Sequence, residues 1–199
     1  MESRSSNHSI SNRIIAMEQT KRTLEEQRVE FASRTFLAAP LAGAIAWLVI
    51  GIAGLIVSMQ TAVWVLFIAT GSIAYLGMFI SEFTGEHFLD KNKPKNEFDK
   101  LFFFTVGQAI LVYAIAIPFF REDYSSLPMT VGILTGLMWL PLSWIINHWV
   151  GIFHALTRTI LILLLWYLFP QYRFVTIPFA IVVIYIMTLF ILKNRRKTK

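Results

Sequence analysis

Seven polar side chains lie beside or within the long apolar runs of this 199-residue chain, where an ionisable group is costly and marks a functional hypothesis. They are Glu82, Glu86, His87, Asn147, His148, His154 and Arg158. The two glutamates are four residues apart, as are His154 and Arg158, so each pair is expected to share one face of a helix. Histidine, and a carboxylate whose pKa is raised by burial, change protonation near neutral pH, and arginine holds an anion or a carboxylate. The first hypothesis is therefore a proton or ion path.

Two other interpretations fit the same residues. Glutamate and histidine also bind metals, but the sequence has no HExxH or similar spacing, so we predict no metal site. Alternatively, the residues are structural. Arg158 would then extend to the lipid headgroups or form an ion pair with Glu82 or Glu86, and the histidines would be ordinary interfacial residues. The sequence leaves these alternatives open.

Two further residues stand alone inside apolar segments. Gln108 is expected to hydrogen-bond a neighbouring helix, which is the usual role of a single amide within a membrane. Pro141 is expected to kink its helix, because proline removes one backbone hydrogen bond.

The elements that position these residues follow from the apolar runs. The chain is 56% hydrophobic with a mean hydropathy of +0.59, above the 45–50% that is usual for soluble domains. The run from Pro128 to Phe169 would be roughly 60 Å long as one helix, about twice the hydrocarbon core, so it must fold back near Asn147. We predict an all-α integral membrane bundle with an amphipathic cytoplasmic N-terminal helix and six transmembrane helices over residues 36–58, 62–81, 101–120, 128–146, 151–169 and 174–192.

The first crossing is rich in glycine and alanine, which allow helices to approach closely, so we expect it at the centre of the bundle. Before it, residues 1–35 are charged but patterned, and residues 10–34 are predicted to form the amphipathic helix. Apolar residues recur there at every seventh position, namely Ile10, Met17, Leu24 and Phe31. This apolar stripe either rests on the bilayer or the bundle, or binds a protein partner.

Charge predicts the orientation. The N-terminal segment carries six lysines and arginines, the loop after the second crossing four and the basic tail over residues 193–199 five, whereas the opposite loops carry only Arg121 and Arg173. By the positive-inside rule both termini are cytoplasmic, and the expected location is the cell (inner) membrane. The chain has no cysteine and its positive charge flanks apolar runs, so we expect the lipid bilayer as partner, no nucleic acid and no cofactor. The oligomeric state is not predicted.

The pattern resembles an uncharacterised family of small bacterial multi-pass membrane proteins, a domain of unknown function. The similarity rests on the segment Glu30-Phe31-Ala32, the small-residue first crossing, the loop over residues 92–96 and the turn region over residues 142–158. It covers nearly the whole chain from about Leu24. The resemblance implies six crossings and no assigned activity, so it assigns no residue a role.

Our leading functional hypothesis is a transporter or sensor of a small solute or ion, with proton coupling as one form of it. The alternative is a non-catalytic membrane scaffold or accessory subunit that binds partners through its N-terminal helix. A membrane enzyme ranks third, because no nucleophile motif such as GxSxG and no glycine-rich phosphate loop occurs. A transporter predicts a polar cavity that reaches into the membrane, whereas a scaffold predicts a dry bundle with an exposed apolar stripe.

Overall fold

A computed structural model describes residues 22–90 and 93–195, and all regular secondary structure in these residues is helical. Two short 3-10 turns, Tyr124–Ser126 and Pro170–Tyr172, connect helices at one end of the bundle. The helices are α1 (Leu24–Ser33), α2 (Ala38–Ile56), α3 (Met59–Thr84), α4 (Glu97–Leu111), α5 (Tyr113–Glu122), α6 (Leu127–Gly136), α7 (Trp139–Ile145), α8 (Val150–Leu168) and α9 (Arg173–Lys193).

Six helical stretches of the described chain are long and apolar enough to cross a membrane. They are Ala38–Ile56, Met59–Thr84, Glu97–Glu122, Tyr124–Ile145, Val150–Leu168 and Pro170–Lys193. The third and fourth stretches each consist of two helices, α4 with α5 and α6 with α7. The predicted all-α fold with six transmembrane helices is confirmed, and the protein is a multi-pass membrane protein.

Helix α1 is shorter than the amphipathic helix predicted over residues 10–34. Thr23 has extended backbone angles and its hydroxyl accepts from the Glu26 amide (3.2 Å), while the Glu26 carboxylate accepts from the Thr23 amide (2.7 Å). This reciprocal capping box starts a helix at Leu24, so a continuous helix through Thr23 was wrong. The predicted start of that helix lies outside the described residues.

The apolar stripe predicted on the N-terminal helix does not present one exposed face. Leu24 is 65% exposed, but Phe31 is buried and its ring packs 5.1 Å from Phe36 and 6.3 Å from Phe98. Phe31 therefore belongs to the core of this protein and is not available to a partner. Ile10 and Met17 lie outside the described residues.

Helix α2 is the centre of the bundle, as its small residues predict, and it packs against both α3 and α9. At Gly43 an added Cβ would meet the Tyr185 ring of α9, and at Gly54 it would meet the backbone of Phe174. Side chains at these positions would force α2 and α9 apart. The close contact buries Trp47 and Ile50 completely.

The fourth crossing is interrupted before Pro141. Helix α6 ends at Gly136 and α7 begins at Trp139. Because Pro141 has no amide hydrogen, the carbonyl of Leu137 accepts from the Leu140 amide instead (3.1 Å), which tightens this turn. The interruption separates α7 from α6, and α7 packs against α8 and contacts α1.

Both described ends of the chain lie at the same end of the bundle. Arg195, after α9, donates from Nη2 to the carbonyls of Ala32 (2.6 Å) and Arg34 (2.9 Å), and its guanidinium lies 5.3 Å from the Phe36 ring centroid. These carbonyls end α1 and would otherwise lack helical partners. A chain that crosses a membrane an even number of times starts and ends on the same side, so this contact agrees with six crossings.

Candidate functional site

A cavity of about 700 Å³ opens at the end of the bundle that holds α1. We call it the α1–α4 cavity, because α1 and α4 form two of its walls. The start of α2, residues 85–88, 90 and 93–96, and α7 with the residue before it form the rest. Its apolar lining is mostly aromatic: Phe31, Phe36, Phe88, Phe102, Phe103 and Trp139. Its ionisable lining residues are Glu30, Arg34, Glu86, His87, Asp90, Lys93, Lys95, Asp99 and Lys100.

One wall is an ion-paired network between α1 and α4. Arg34 donates to Glu30 (2.6 Å) and to Asp99, and Arg22 donates to Glu30 (3.1 Å). Burial alone would raise the pKa of Glu30, but hydrogen bonds from Asn96 and Arg34 outweigh it and hold that pKa below its usual value. Glu30 is therefore ionised, and its carboxylate accepts hydrogen bonds from Arg22, Arg34 and Asn96.

A pair of buried amides fixes the same wall. The Asn96 side chain caps α4 by accepting from the Phe98 amide (2.9 Å) and donates to the Gln27 carbonyl (2.8 Å). In return, the Gln27 side chain accepts from the Glu97 amide (2.9 Å). The two amides close the gap between α1 and the start of α4, so the shape of the cavity depends on them.

Glu86 forms the inner part of the cavity lining and is only 7% exposed. Its Oε1 accepts from the amides of Leu37 and Ala38, both at 2.8 Å, and so caps the N-terminus of α2. Its Oε2 is buried and has no hydrogen-bond partner among the described residues. The Thr84 hydroxyl lies near this carboxylate, but its hydrogen bond in the structure is to the Ser81 carbonyl (3.4 Å).

Burial raises the pKa of Glu86 above its usual value, and the two α2 amides, Thr84 and Lys93 offset this only in part. Lys93 Nζ donates to the backbone carbonyls of Glu86 and His87 and not to the carboxylate. A carboxyl group with a raised pKa and one unsatisfied oxygen, beside a cavity, is suited to exchange a proton.

The raised pKa predicts how stability changes with pH. A carboxyl group whose pKa is higher in the folded protein stabilises the fold fully below its unfolded value of 4.5, and this contribution is lost as the pH rises through the folded value. We therefore expect the melting temperature of the wild type in detergent to fall relative to Glu86→Gln as the pH rises above 4.5. Glu82→Gln, at an exposed position, is the control. A constant difference between wild type and Glu86→Gln across this range would contradict the prediction.

Glu82 and Glu86 do not share a helical face, contrary to the expectation from their spacing. Helix α3 ends at Thr84, and Gly85 turns the chain in a left-handed conformation with φ of 73°. Glu86 is thereby directed to α2, while Glu82 stays outside and pairs with His87 (2.8 Å), both about half exposed. These two residues are therefore separated from the Glu86 carboxylate.

Asn147 and His148 form a third, separate group at the turn before α8. Asn147 is exposed, with φ of 48°, and the His148 ring accepts from the Val150 amide (3.2 Å). Burial and the nearby Arg195 lower the pKa of His148. The hydrogen bond to the start of α8 uses the neutral form of the imidazole, so this histidine stabilises the turn.

His154 and Arg158 lie together inside the bundle and are both fully buried. Arg158 donates to the hydroxyls of Thr135 (3.0 Å) and Tyr185 (3.2 Å) and lies 3.4 Å from Nε2 of His154. Its guanidinium is also 5.3 Å from the Trp47 ring centroid. No ion pair of Arg158 occurs among the described residues, so the expected pairing with Glu82 or Glu86 was wrong, and full burial rules out its extension to the headgroups.

Trp139 connects the buried pair to the cavity. Its ring stacks on that of His154, with centroids 4.2 Å apart and planes at 20°, and the same tryptophan lines the cavity. Trp139, Asn96 and Gln27 were not among the site residues predicted from the sequence. Asn96 before an apolar run is a helix-capping signal that the sequence does contain, whereas the positions of Trp139 and Gln27 depend on tertiary packing.

The remaining predicted residues lie elsewhere. Gln108 is exposed on the outer surface of the bundle, so its side chain does not take the interhelical position that we expected. Within the described ranges, no group of three or more histidines, aspartates and glutamates is arranged to hold a metal ion.

Comparison with known proteins gives a family and no activity. A search of curated proteins found no match to this chain, and a search of solved structures found none either. One sequence family, described as a family of unknown function (DUF7010), matches residues 24–195. The match spans α1 to α9 and includes every residue of the α1–α4 cavity. The chain belongs to this family of unknown function.

Proposed function

We propose that this protein is a small-solute transporter or sensor that binds its solute in the α1–α4 cavity and couples binding to protonation of Glu86. The observation that carries the proposal is the Glu86 carboxyl group, which is buried at the cavity with one oxygen unsatisfied. The cavity volume of about 700 Å³ falls within the range usual for small-molecule sites. Several of its charged groups, including Glu30, Arg34 and Glu86, are held in place by hydrogen bonds, which favours a specific ligand.

We propose that the cavity opens to the cytoplasm and that the protein lies in the bacterial inner membrane. By sequence, fifteen lysines and arginines belong to the N-terminal segment, the loop after the second crossing and the C-terminal tail, against Arg121 and Arg173 in the opposite loops. This distribution supports cytoplasmic N- and C-termini by the positive-inside rule. The contact of Arg195 with α1 supports the common placement of both termini.

The route beyond the cavity would pass Trp139. This ring separates the cavity from His154 and Arg158, and the buried guanidinium behind it repels cations. A transported cation would therefore pass only after α7 moves. The break between α6 and α7 makes such a movement feasible, because the turn between them is not continuous α-helix. It is closed by two 3-10-type hydrogen bonds, from the Leu137 amide to Leu134 (3.3 Å) and from the Leu140 amide to Leu137 (3.1 Å).

The experiment is a pH jump on proteoliposomes that contain an internal pH dye. We expect the wild type to carry protons and Glu86→Gln to lose at least nine-tenths of the flux, while Glu82→Gln keeps it. The Glu82 carboxylate is the matched control, because it lies close in the chain but is exposed and outside the cavity lining. Equal flux in wild type and Glu86→Gln would contradict the role of Glu86. No flux in any of the proteins would exclude a proton path that works without a bound solute and favour a scaffold or accessory subunit.

A further inference from the structure

We infer that the solute of the α1–α4 cavity is an organic cation with aromatic or alkyl bulk, which takes the place of a proton on Glu86. This inference rests on the proposed function and adds the class of solute. It depends on two properties of the cavity, the pairing of its other charges and the chemistry of its walls.

Most of the charges near Glu86 are already engaged with other groups. Arg34 is held by Glu30 and Asp99, and Lys100 pairs with Glu97 (2.8 Å). Lys93 donates to backbone carbonyls, and His87 pairs with Glu82. Lys95 is the exception, because it is exposed and makes no ion pair or hydrogen bond with a described residue. Among the described residues, an anionic solute could therefore reach a cation without breaking one of these contacts only at this exposed position. A cationic solute needs only the Oε2 atom of Glu86, which is an acceptor without a donor.

The walls fit a cation that carries apolar bulk. Phe31 and Phe36 already have the guanidinium groups of Arg34 (5.2 Å) and Arg195 (5.3 Å) over their rings. The rings left for a solute are Phe102 and its two neighbours, Phe88 at 6.3 Å and Phe103 at 6.2 Å between centroids. The faces of aromatic rings are electronegative and attract ammonium and related cations, most strongly where water is excluded. A small hydrated metal ion would make no favourable contact with these rings. With an aromatic or alkyl cation, the rings would attract the charge and also pack against the apolar part.

The exchange balances in charge. Burial raises the pKa of Glu86, so below that pKa and with no solute the carboxyl group holds one proton and is neutral. When the cation binds, the proton leaves to water and the carboxylate becomes the counterion. One positive charge enters and one leaves, so the site never holds an uncompensated charge. The same balance predicts that cation binding weakens as the pH falls, because protons compete for the carboxylate.

The test compares two ions of nearly the same size and shape but opposite charge, tetraphenylphosphonium and tetraphenylborate. Binding is measured by titration calorimetry on detergent-solubilised protein, and Glu86→Gln corrects for partition into the micelle. We expect tetraphenylphosphonium to bind the wild type and Glu82→Gln at least tenfold more tightly than Glu86→Gln. Affinity should rise up to tenfold per pH unit below the pKa of Glu86, and one proton should be released per cation in weak buffer. Tetraphenylborate should bind wild type and Glu86→Gln alike.

Each failure has a distinct meaning. If tetraphenylborate binds the wild type more tightly than Glu86→Gln and tetraphenylphosphonium does not, the cation assignment is overturned while the cavity remains a solute site. Proton flux without tetraphenylphosphonium binding also overturns only the solute class. Equal cation binding in wild type and Glu86→Gln, with no proton release, overturns the role of Glu86 and with it the proposed function. Because proton release is measured on the wild type alone, the test holds even if the variant folds poorly.

A lipid amine headgroup shares the chemistry of a soluble organic cation. Nanodiscs of phosphatidylglycerol, with and without phosphatidylethanolamine, separate the two sources. Unchanged tetraphenylphosphonium affinity assigns the site to a soluble cation. If phosphatidylethanolamine lowers the tetraphenylphosphonium affinity of the wild type but not that of Glu86→Gln, the site is assigned to the headgroup. A loss of the same size in both proteins would show that the lipid acts elsewhere and would overturn a headgroup at Glu86.

Discussion

Gly151→Ala is expected to destabilise the protein by about 3 kcal/mol, at the upper end of overpacking substitutions. Gly151 is buried at the start of α8, where α7 crosses it. An added Cβ would collide with the backbone carbonyl of Trp139 and would lie 2.7 Å from Cβ of Ser143. A backbone atom cannot rotate away as a side chain can, so α7 must move as a whole. Because Trp139 lines the α1–α4 cavity, the same substitution should weaken ligand binding there.

The matched control is Gly107→Ala. Gly107 lies inside α4, and an added Cβ there meets no atom within 4 Å. Alanine has the higher helix propensity, so this variant should be stabilised by up to about 1 kcal/mol. Thermal unfolding in detergent, followed by circular dichroism, compares the two. Equal melting temperatures for Gly151→Ala and Gly107→Ala would show that the contact between α7 and α8 is not as tight as described.

Arg158→Lys is expected to be more destabilising than Arg158→Met, although only the lysine variant keeps the charge. Arg158 is fully buried with neutral partners, so removing its charge leaves no opposite charge unpaired. Lysine cannot reach Thr135 and Tyr185 together with a planar fork, and its compact ammonium is more costly to desolvate. Methionine is flexible enough to fill much of the space between Trp47 and Tyr185. We expect a loss of about 3 kcal/mol for lysine and less than half of that for methionine.

Arg158→Ala provides the control for volume. It removes the charge as methionine does but leaves a void, which typically costs about 2–5 kcal/mol. The melting temperatures of the three variants, measured in one detergent, show whether the charge or the volume of Arg158 contributes more to stability. If methionine proved as damaging as lysine, the positive charge itself would be needed for stability, and an unrecognised counterion would have to be sought near Nε, the one guanidinium nitrogen of Arg158 that is buried without a partner.

The six crossings and the common placement of both termini could be predicted because they depend on quantities that a sequence carries directly. Apolar length decides whether a segment spans a bilayer, and an even number of spans returns the chain to the side on which it began. The small residues of α2 likewise predict a central helix, since only such residues permit the contact that Gly54 makes with the Phe174 backbone.

The site could be predicted only in part, for reasons visible at two residues. Glu86 was expected beside Glu82, but the turn at Gly85 depends on one left-handed residue and reverses the direction of the carboxylate. Arg158 was expected to have a glutamate partner, because the sequence shows a charge in the membrane and not which helices surround it. The cavity itself requires α1 to rest on α4, a contact between segments 65 residues apart that no local pattern encodes.

The hydrogen bonds from Arg195 to the end of α1 join residues that are 163 positions apart along the chain. At a synthesis rate of roughly 5–20 residues per second, about 8 to 33 seconds separate the emergence of these two segments from the ribosome. During that interval the carbonyls of Ala32 and Arg34 lack their guanidinium partner, and the wall of the cavity that α1 forms is not yet secured. The last crossing therefore supplies the hydrogen bonds that complete this end of the bundle, and a chain that ends before it would leave the carbonyls at the end of α1 without these partners.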